Sequence, residues 1–286
     1  MHNHDRENFH IFVSNWEPAP RRLDSNVVVC AIGDVHGQLK HLAHLMEWVR
    51  VNVLNDPSLL RHMILLGDYV DRGPSGVATL DFLGRLELSD VTVTRLVGNH
   101  EMFLSTFLYD ESCDFDLIDL WIANGGRATL AELGINERDL VWCDMRALRE
   151  KAMRCMTASA IACLNDLQVA TFVGDYLFVH AGKHPQRAFD REDIEELTCI
   201  REPFLSGQQW QHEFAVVHGH TPCGPDVRPH RIAVDSGAYY SGVLTCAQLR
   251  EASVRFIAAT QASNLNALDT LAGRRKLATE QWVQVE

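Results

Sequence analysis

Hydrophobic and polar positions change their period twice along the chain. Between residues 26 and 99, short apolar runs alternate with stretches whose apolar residues recur every three or four positions. NVVVCAIGD (26–34), RHMILLGD (61–68) and VTVTRLVGN (91–99) are rich in branched aliphatic residues and stop at Gly-Asp or Gly-Asn, which predicts three buried strands. Between them, QLKHLAHLMEWVRVNV (38–53) places Leu39, Leu42, Leu45, Met46 and Val49 on one helical face. SGVATLDFLGRL (75–86), introduced by Pro74, predicts a second helix. The order β-α-β-α-β with short connections belongs to an α/β layer with parallel neighbouring strands.

From Glu101 to Asp166 the period becomes helical. Leu148, Ala152, Cys155, Met156, Ala160, Cys163 and Leu167 follow a three–four spacing, and Asn124-Gly125-Gly126 and Gly134 punctuate the segment. This predicts an inserted helical subdomain over 102–166. Strand patterns return in LQVATFVG, DYLFVHAG, EFAVVHGH, RIAVDSGA, GVLTCAQL and SVRFIAAT. The expected organisation is a domain over 26–260, an N-terminal segment 1–25 and a peripheral tail 261–286. His2, His4 and His10 in the first segment have metal-chelating side chains, but a frayed terminus is the expectation there.

Charge and cysteine usage narrow the class. The 286 residues carry 38 Asp+Glu against 26 Lys+Arg, a formal charge of −12. That balance argues against non-specific nucleic-acid binding and against an anionic membrane partner. It leaves a phosphorylated substrate open, because a bound cation inverts the local field. The eight cysteines include no C-x-x-C pair and read as reduced thiols. Cys223, in the loop GHTPCGP, is the one in a position to respond to redox state, whereas Cys30 is expected to be buried and inert. With a polar N-terminus and no membrane-length apolar run, the expected location is the cytoplasm.

The chemistry-bearing residues sit where strands end. AIGDVHG supplies Asp34 and His36; LLGDYVDRG supplies Asp68, Asp71 and Arg72; LVGNHE supplies Asn99 and His100; LFVHAG supplies His180; and VVHGHT supplies His218 and His220. One Gly-Asp or His-Gly pair is an ordinary solvated turn. Five strand ends bearing Asp, His or Asn converge on one crevice of an α/β sheet. Carboxylate, imidazole and neutral amide together suit Mn, Fe or Zn better than Ca or Mg, and a carboxylate can bridge two such ions. A neighbouring arginine can clamp phosphate oxygens. This set points to phosphoester hydrolysis.

GDVHG, GDYVDRG and GNHE in order, followed by VHAG and GHT, resemble the PPP-type metallophosphatases, calcineurin-like binuclear metallophosphoesterases, in their bacterial and phage branch. The resemblance runs from about Val27 to Leu249. It implies a central β-sandwich of mixed sheets flanked by helices, carrying the helical insertion. It also implies two divalent ions, Mn foremost with Fe or Zn as alternatives. Asp34 and His36 would hold the first ion, Asp68 would bridge, and Asn99, His180 and His220 would complete the second. Arg72 and Arg201 (in TCIREPF) would bind the substrate phosphate beside Asn99. His100 would be the general acid, oriented by Asp71. Attack would be direct and in line by metal-bound hydroxide, with no phosphoenzyme.

The resemblance implies a serine/threonine protein phosphatase acting on a phosphoprotein. A symmetrical bis(5'-nucleosyl)-tetraphosphate hydrolase, or another enzyme for small phosphorylated substrates, is the alternative. A metal-loaded scaffold without catalysis is the third class, disfavoured because the full residue set is present. His218, two residues before His220, is expected to be a supporting or core histidine. Asp235 is open between support of a ligand and turn capping, and Tyr239–Tyr240 between substrate contact and a plain surface pair. The insertion reads either as a substrate-selecting cap or as a packing module.

Overall fold

Two mixed β-sheets face each other across an apolar layer, and helices cover the outer face of the larger one. The computed structural model describes residues 9–267 and 282–285. The strands are β1 Phe9–Ser14, β2 Glu17–Pro18, β3 Val27–Ile32, β4 Leu60–Leu65, β5 Val91–Arg95, β6 Ala170–Val173, β7 Tyr176–Val179, β8 Ala215–His218, β9 Asp226–Arg228, β10 Arg231–Ala233, β11 Val243–Arg250, β12 Ser253–Gln261 and β13 Trp282–Val285. The larger sheet runs β13-β1-β12-β11-β3-β4-β5, with β2 on β12, and the smaller runs β6-β7-β8-β10-β9. β3, β4 and β5 are parallel, as are β7, β8 and β10.

The sequence of β3 shows why its pattern does not alternate. All six residues are buried, because both faces of the strand are covered. Val27, Val29 and Ala31 join Phe178, Val217 and Ile232 of the second sheet in the layer between the sheets. Val28, Cys30 and Ile32 point the other way, into the core shared with the helices.

That helical layer is built from α1 Leu39–Asn52, α2 Gly76–Gly84, α3 Asn99–Tyr109, α4 Phe115–Trp121, α5 Arg127–Glu132, α6 Glu137–Trp142, α7 Met145–Cys155 and α8 Ala158–Asn165. Leu104, Phe107, Trp121, Leu130, Leu148 and Ala160 belong to the same core cluster as Leu42 of α1 and Leu80 of α2. The predicted helical insertion is therefore helical, and it shares the main core. Two further short helices are α9 Ile194–Cys199 and α10 Ala238–Ser241. Leu197 of α9 and Phe204 cover the outer face of the smaller sheet at Leu177, Val179 and Val216.

The edge of the larger sheet differs from the expectation at both flanks. In FHIFVS, Ile11 and Val13 alternate onto a buried face, and β1 pairs with both β12 and β13. Residues 9–14 are thus paired, not frayed, and the sheet crosses the expected boundaries at 26 and 260. Gln284 Nε2 donates to His10 Nδ1 at 2.9 Å. His2 and His4 lie outside the described residues.

Candidate functional site

Six parallel strands end at one edge, and each contributes a polar residue within a few positions. Asp34 and His36 follow β3, Asp68 to Arg72 follow β4, and α3 begins just past β5. His180 follows β7, His220 follows β8 and Asp235 follows β10. Among the described residues, eight non-glycine residues have positive φ, and five of them are His36, Asp68, Asp71, Arg72 and His220. Backbone strain of this kind, about 1–3 kcal/mol per residue, persists where surrounding contacts over-determine it and clusters at functional sites.

Asp68 is the centre. Its carboxylate lies 3.4 Å from His36 Nε2, 3.3 Å from His180 Nε2 and 3.8 Å from His100 Nε2. Two groups of donor atoms, His36/Asp68/His100 and Asp68/His180/His220, each lie within 4.8 Å of one another and are buried. The outer nitrogens are fixed: His36 Nδ1 bonds Val70 O at 2.8 Å, and His180 Nδ1 bonds Leu66 O at 2.7 Å. These bonds leave each Nε2 facing inward, the arrangement in which an imidazole ligates. Asn99 Oδ1 sits 3.2 Å from His180 Nε2. The Asp34 carboxylate accepts the backbone N–H of His220 at 3.0 and 3.1 Å.

The donor set fits divalent cations. His220 Nε2 is buried and has no hydrogen-bond partner, an uncompensated lone pair or N–H in a dry site. Backbone also closes directly on the carboxylates. A Cβ at Gly98 would lie 2.1 Å from Asp68 Oδ1, and one at Gly219 would lie 2.1 Å from Asp34 Oδ1.

The electrostatics match this reading at His36 and His220. Burial lowers His36 to about 3 despite the nearby Asp68 carboxylate. Burial and the charge of His180 lower His220 to about 3. Both are neutral at physiological pH, the form that ligates. Burial would also lower His180, but the Asp68 carboxylate outweighs it and lifts the group to about 10. Burial and the neighbouring Asp235 carboxylate push Asp34 well up, and burial raises Asp235 to about 6. These two carboxyls crowd one dry space, where a cation would relieve the repulsion.

The GNHE stretch forms the start of α3. Successive side chains at the head of a helix point about 100° apart. Asn99 turns to His180 and His100 to Asp71. Glu101 turns back under the loops, where its carboxylate accepts the N–H groups of Asp68, Tyr69, Val70 and Gly98 at 2.7–3.1 Å. Burial and the nearby Asp68 charge raise Glu101 to about 7. Glu101 was not among the expected site residues, although the motif contains it. The signal available in the sequence is its place directly after Asn99 and His100 in GNHE.

His100 and Asp71 form a buried dyad with Nδ1 to Oδ2 at 2.6 Å. Burial alone would lower the His100 pKa, but the Asp68 and Asp71 carboxylates raise it. Asp71 also accepts Trp121 Nε1 at 2.7 Å and Thr129 Oγ1 at 2.5 Å. Neither residue is marked in the sequence by more than a place in a helical pattern.

Arg72 is exposed at the mouth, with Nη1 2.7 Å from His36 Nε2 and its guanidinium 4.9 Å over the Tyr239 ring. Arg201 follows α9 and is exposed, and its charge contributes to lowering His220. His218 turns away, with Nδ1 on Gly219 O at 2.9 Å and its ring edge-on to Phe204. Cys223 lies 3.8 Å from Arg231 Nη1, and burial raises its thiol pKa, which opposes thiolate chemistry.

A family model described as calcineurin-like phosphoesterase matches residues 27–253. The chain belongs to that family. Among curated proteins it is similar to the asymmetrical bis(5'-nucleosyl)-tetraphosphatase PrpE of Bacillus anthracis, 24% identical over 238 residues covering 77% of this chain and 89% of the relative. The PrpE of Bacillus thuringiensis is 25% identical over 232 residues, covering 75% and 87%. A solved structure titled as a putative diadenosine tetraphosphatase superposes with a TM-score of 0.53 at 21% identity, covering 83% of this chain and 97% of that one. A mutant cold-active protein tyrosine phosphatase gives a TM-score of 0.50 at 18% identity, covering 82% and 81%. These two likenesses concern the fold. The mixed sheets and flanking helices are those of a calcineurin-like phosphoesterase, and its His/Asp groups provide for metal binding. No described helix is long and apolar enough to cross a membrane.

Proposed function

We propose that this calcineurin-like phosphoesterase hydrolyses phosphomonoesters of alcohols, phosphoserine and phosphothreonine of proteins foremost, with two divalent ions as cofactors. The observation that carries this reading is the buried His100–Asp71 pair at 2.6 Å. An alkoxide is a poor leaving group and needs a proton as it departs, whereas a nucleoside polyphosphate departs as a stable anion and needs little help.

Asp34 and His36 would hold one ion, Asn99, His180 and His220 the other, and Asp68 both. The ions, when bound, would activate water and offset phosphoryl charge. Arg72, exposed beside the dyad, presents its guanidinium to the phosphate oxygens, with Arg201 as a second cation. Asp71 accepts the proton on His100 Nδ1 and, with Asp68, favours the imidazolium, whose second proton, on Nε2, is the one for the leaving oxygen. Mn is the expected ion, with Fe or Zn as alternatives.

A second reading, hydrolysis of dinucleoside polyphosphates, has its own support. The relatives carry that activity in their names, in the asymmetrical form rather than the symmetrical form expected from the sequence. Tyr239, 40% exposed, stands beside Arg72 and packs edge-on against Tyr240, 52% exposed, a surface on which a base can stack.

The deciding assay compares kcat/KM for a phosphoserine/phosphothreonine peptide and for diadenosine tetraphosphate on the Mn²⁺-loaded protein. The expected outcome is preference for the peptide. Preference for the dinucleotide overturns the first reading in favour of the second.

A further inference from the structure

We propose that Trp121 and Thr129 are positioning residues for proton transfer, so that the helical insertion is a working part of the catalytic machinery. The inference rests on the reading of His100 as the general acid. The insertion encloses Asp71 and holds the main chain of Arg72.

Asp71 has no exposed surface, and each of its hydrogen-bonding groups has a defined partner. Oδ2 takes His100 Nδ1 at 2.6 Å and Trp121 Nε1 at 2.7 Å, and Oδ1 takes Thr129 Oγ1 at 2.5 Å. The backbone N–H of Asp71 donates to the same Thr129 Oγ1 at 2.9 Å. Because that hydroxyl accepts from the backbone, its own proton is directed to the carboxylate. The threonine thus locks side chain and main chain of one residue at once. The next residue is held as well: Arg72 N–H donates to Gly125 O at 3.0 Å.

Asp71 and Arg72 both have left-handed backbone, φ 67° and 65°, a conformation disfavoured for side chains of this size. The two N–H groups that would otherwise be free in this strained turn are both taken up by the insertion. Gly125 makes the approach possible. It adopts φ 107° in the π-helical turn Ile122–Gly126, and a Cβ there would lie 2.6 Å from Arg72 Cγ. Trp121 and Thr129 are both fully buried, so neither contacts substrate. Their action passes through Asp71 to the ring of His100.

The test uses the metal-loaded full-length protein and the variants Thr129→Val, Thr129→Ser, Trp121→Phe and His100→Asn. Each is assayed on a phosphoserine peptide and on p-nitrophenyl phosphate, whose leaving group needs no proton, with metal content measured in parallel. Thr129→Val is expected to lower kcat on the peptide about 10- to 100-fold while aryl phosphate turnover stays within about twofold and the metals remain bound. Thr129→Ser should restore the peptide rate. Trp121→Phe keeps the ring and removes one donor, and should show the same selectivity to a smaller degree. Equal losses on both substrates in Thr129→Val and Trp121→Phe, or no loss in either, overturn the proposal. His100→Asn separates the two levels. If it discriminates between the substrates and the other variants do not, only the positioning role falls. If it does not discriminate, the general-acid reading falls with it.

Discussion

The two sides of the site are held by different materials. Around Asp34, His180 and His220 the strand ends do the work: His220 N–H caps Asp34, Leu66 O fixes His180, and Gly219 lets main chain close on the carboxylate. Around His100, Asp71 and Arg72 the fixing groups are side chains and a carbonyl from the helical insertion, Trp121, Thr129 and Gly125. The sheet side uses backbone bonds that any strand of this topology offers. The insertion side depends on particular side chains at particular positions. Cation affinity should therefore follow the sandwich, and proton delivery should follow the insertion.

The largest effect should come from the residue both sides share. Asp68→Asn is expected to lose cations and activity together, with turnover down on the order of 10³-fold or more on every substrate. Retention of full metal content, measured by elemental analysis, would show that Asp68 does not join the two groups. Next is His100→Asn, which should keep its metals and lose about 10²- to 10³-fold on alkyl phosphates, with far less on activated aryl phosphates. A parallel fall on both would sink the general-acid role.

Gly219→Ala perturbs the opposite side. Its new methyl group collides with Asp34, so cation affinity should weaken and stability should fall by about 1–3 kcal/mol. The ratio of alkyl to aryl turnover should not move. A changed ratio would mean that the two sides are not separable.

The smallest effect lies outside both sides and sets a baseline. His41, whose Nε2 is 3.1 Å from Gly242 O, is lowered by burial from 6.5 to about 4. The unfolded chain then binds more protons than the folded chain between those values. The stability linked to His41 is complete above about 6.5 and is lost as pH falls towards 4, roughly 1–3 kcal/mol at most. Denaturant titrations of His41→Gln at pH 7 and 4.5 should show a correspondingly flatter loss. An unchanged difference would remove His41 from the account.

The same division decides what could be read from the sequence. The strand ends were legible because each motif is local: the polar residues and the glycine that admits them are neighbours in the chain. GDYVDRG and GNHE thus named residues that cluster around Asp68, and the period change at Glu101 marked the helices. Trp121 and Thr129 were not legible, because they are 50 and 58 residues from Asp71 and their places in the helical pattern are those of any buried tryptophan or threonine. The edge strand β1 was passed over for another reason. Six residues with two inward aliphatics form a weak signal without the partner strand that covers them.

Trp121, Gly125 and Thr129 recur at intervals of four, so the segment behaves as a gauge with three fixed marks. Anyone transplanting this helical region between relatives must carry residues 121 to 129 unaltered in length, since one inserted residue would rotate the marks off Asp71. α6, which has no fully buried residue and rests on the core through Leu140, lies beyond the gauge. It is the place to rewrite the outer surface without disturbing the chemistry beneath.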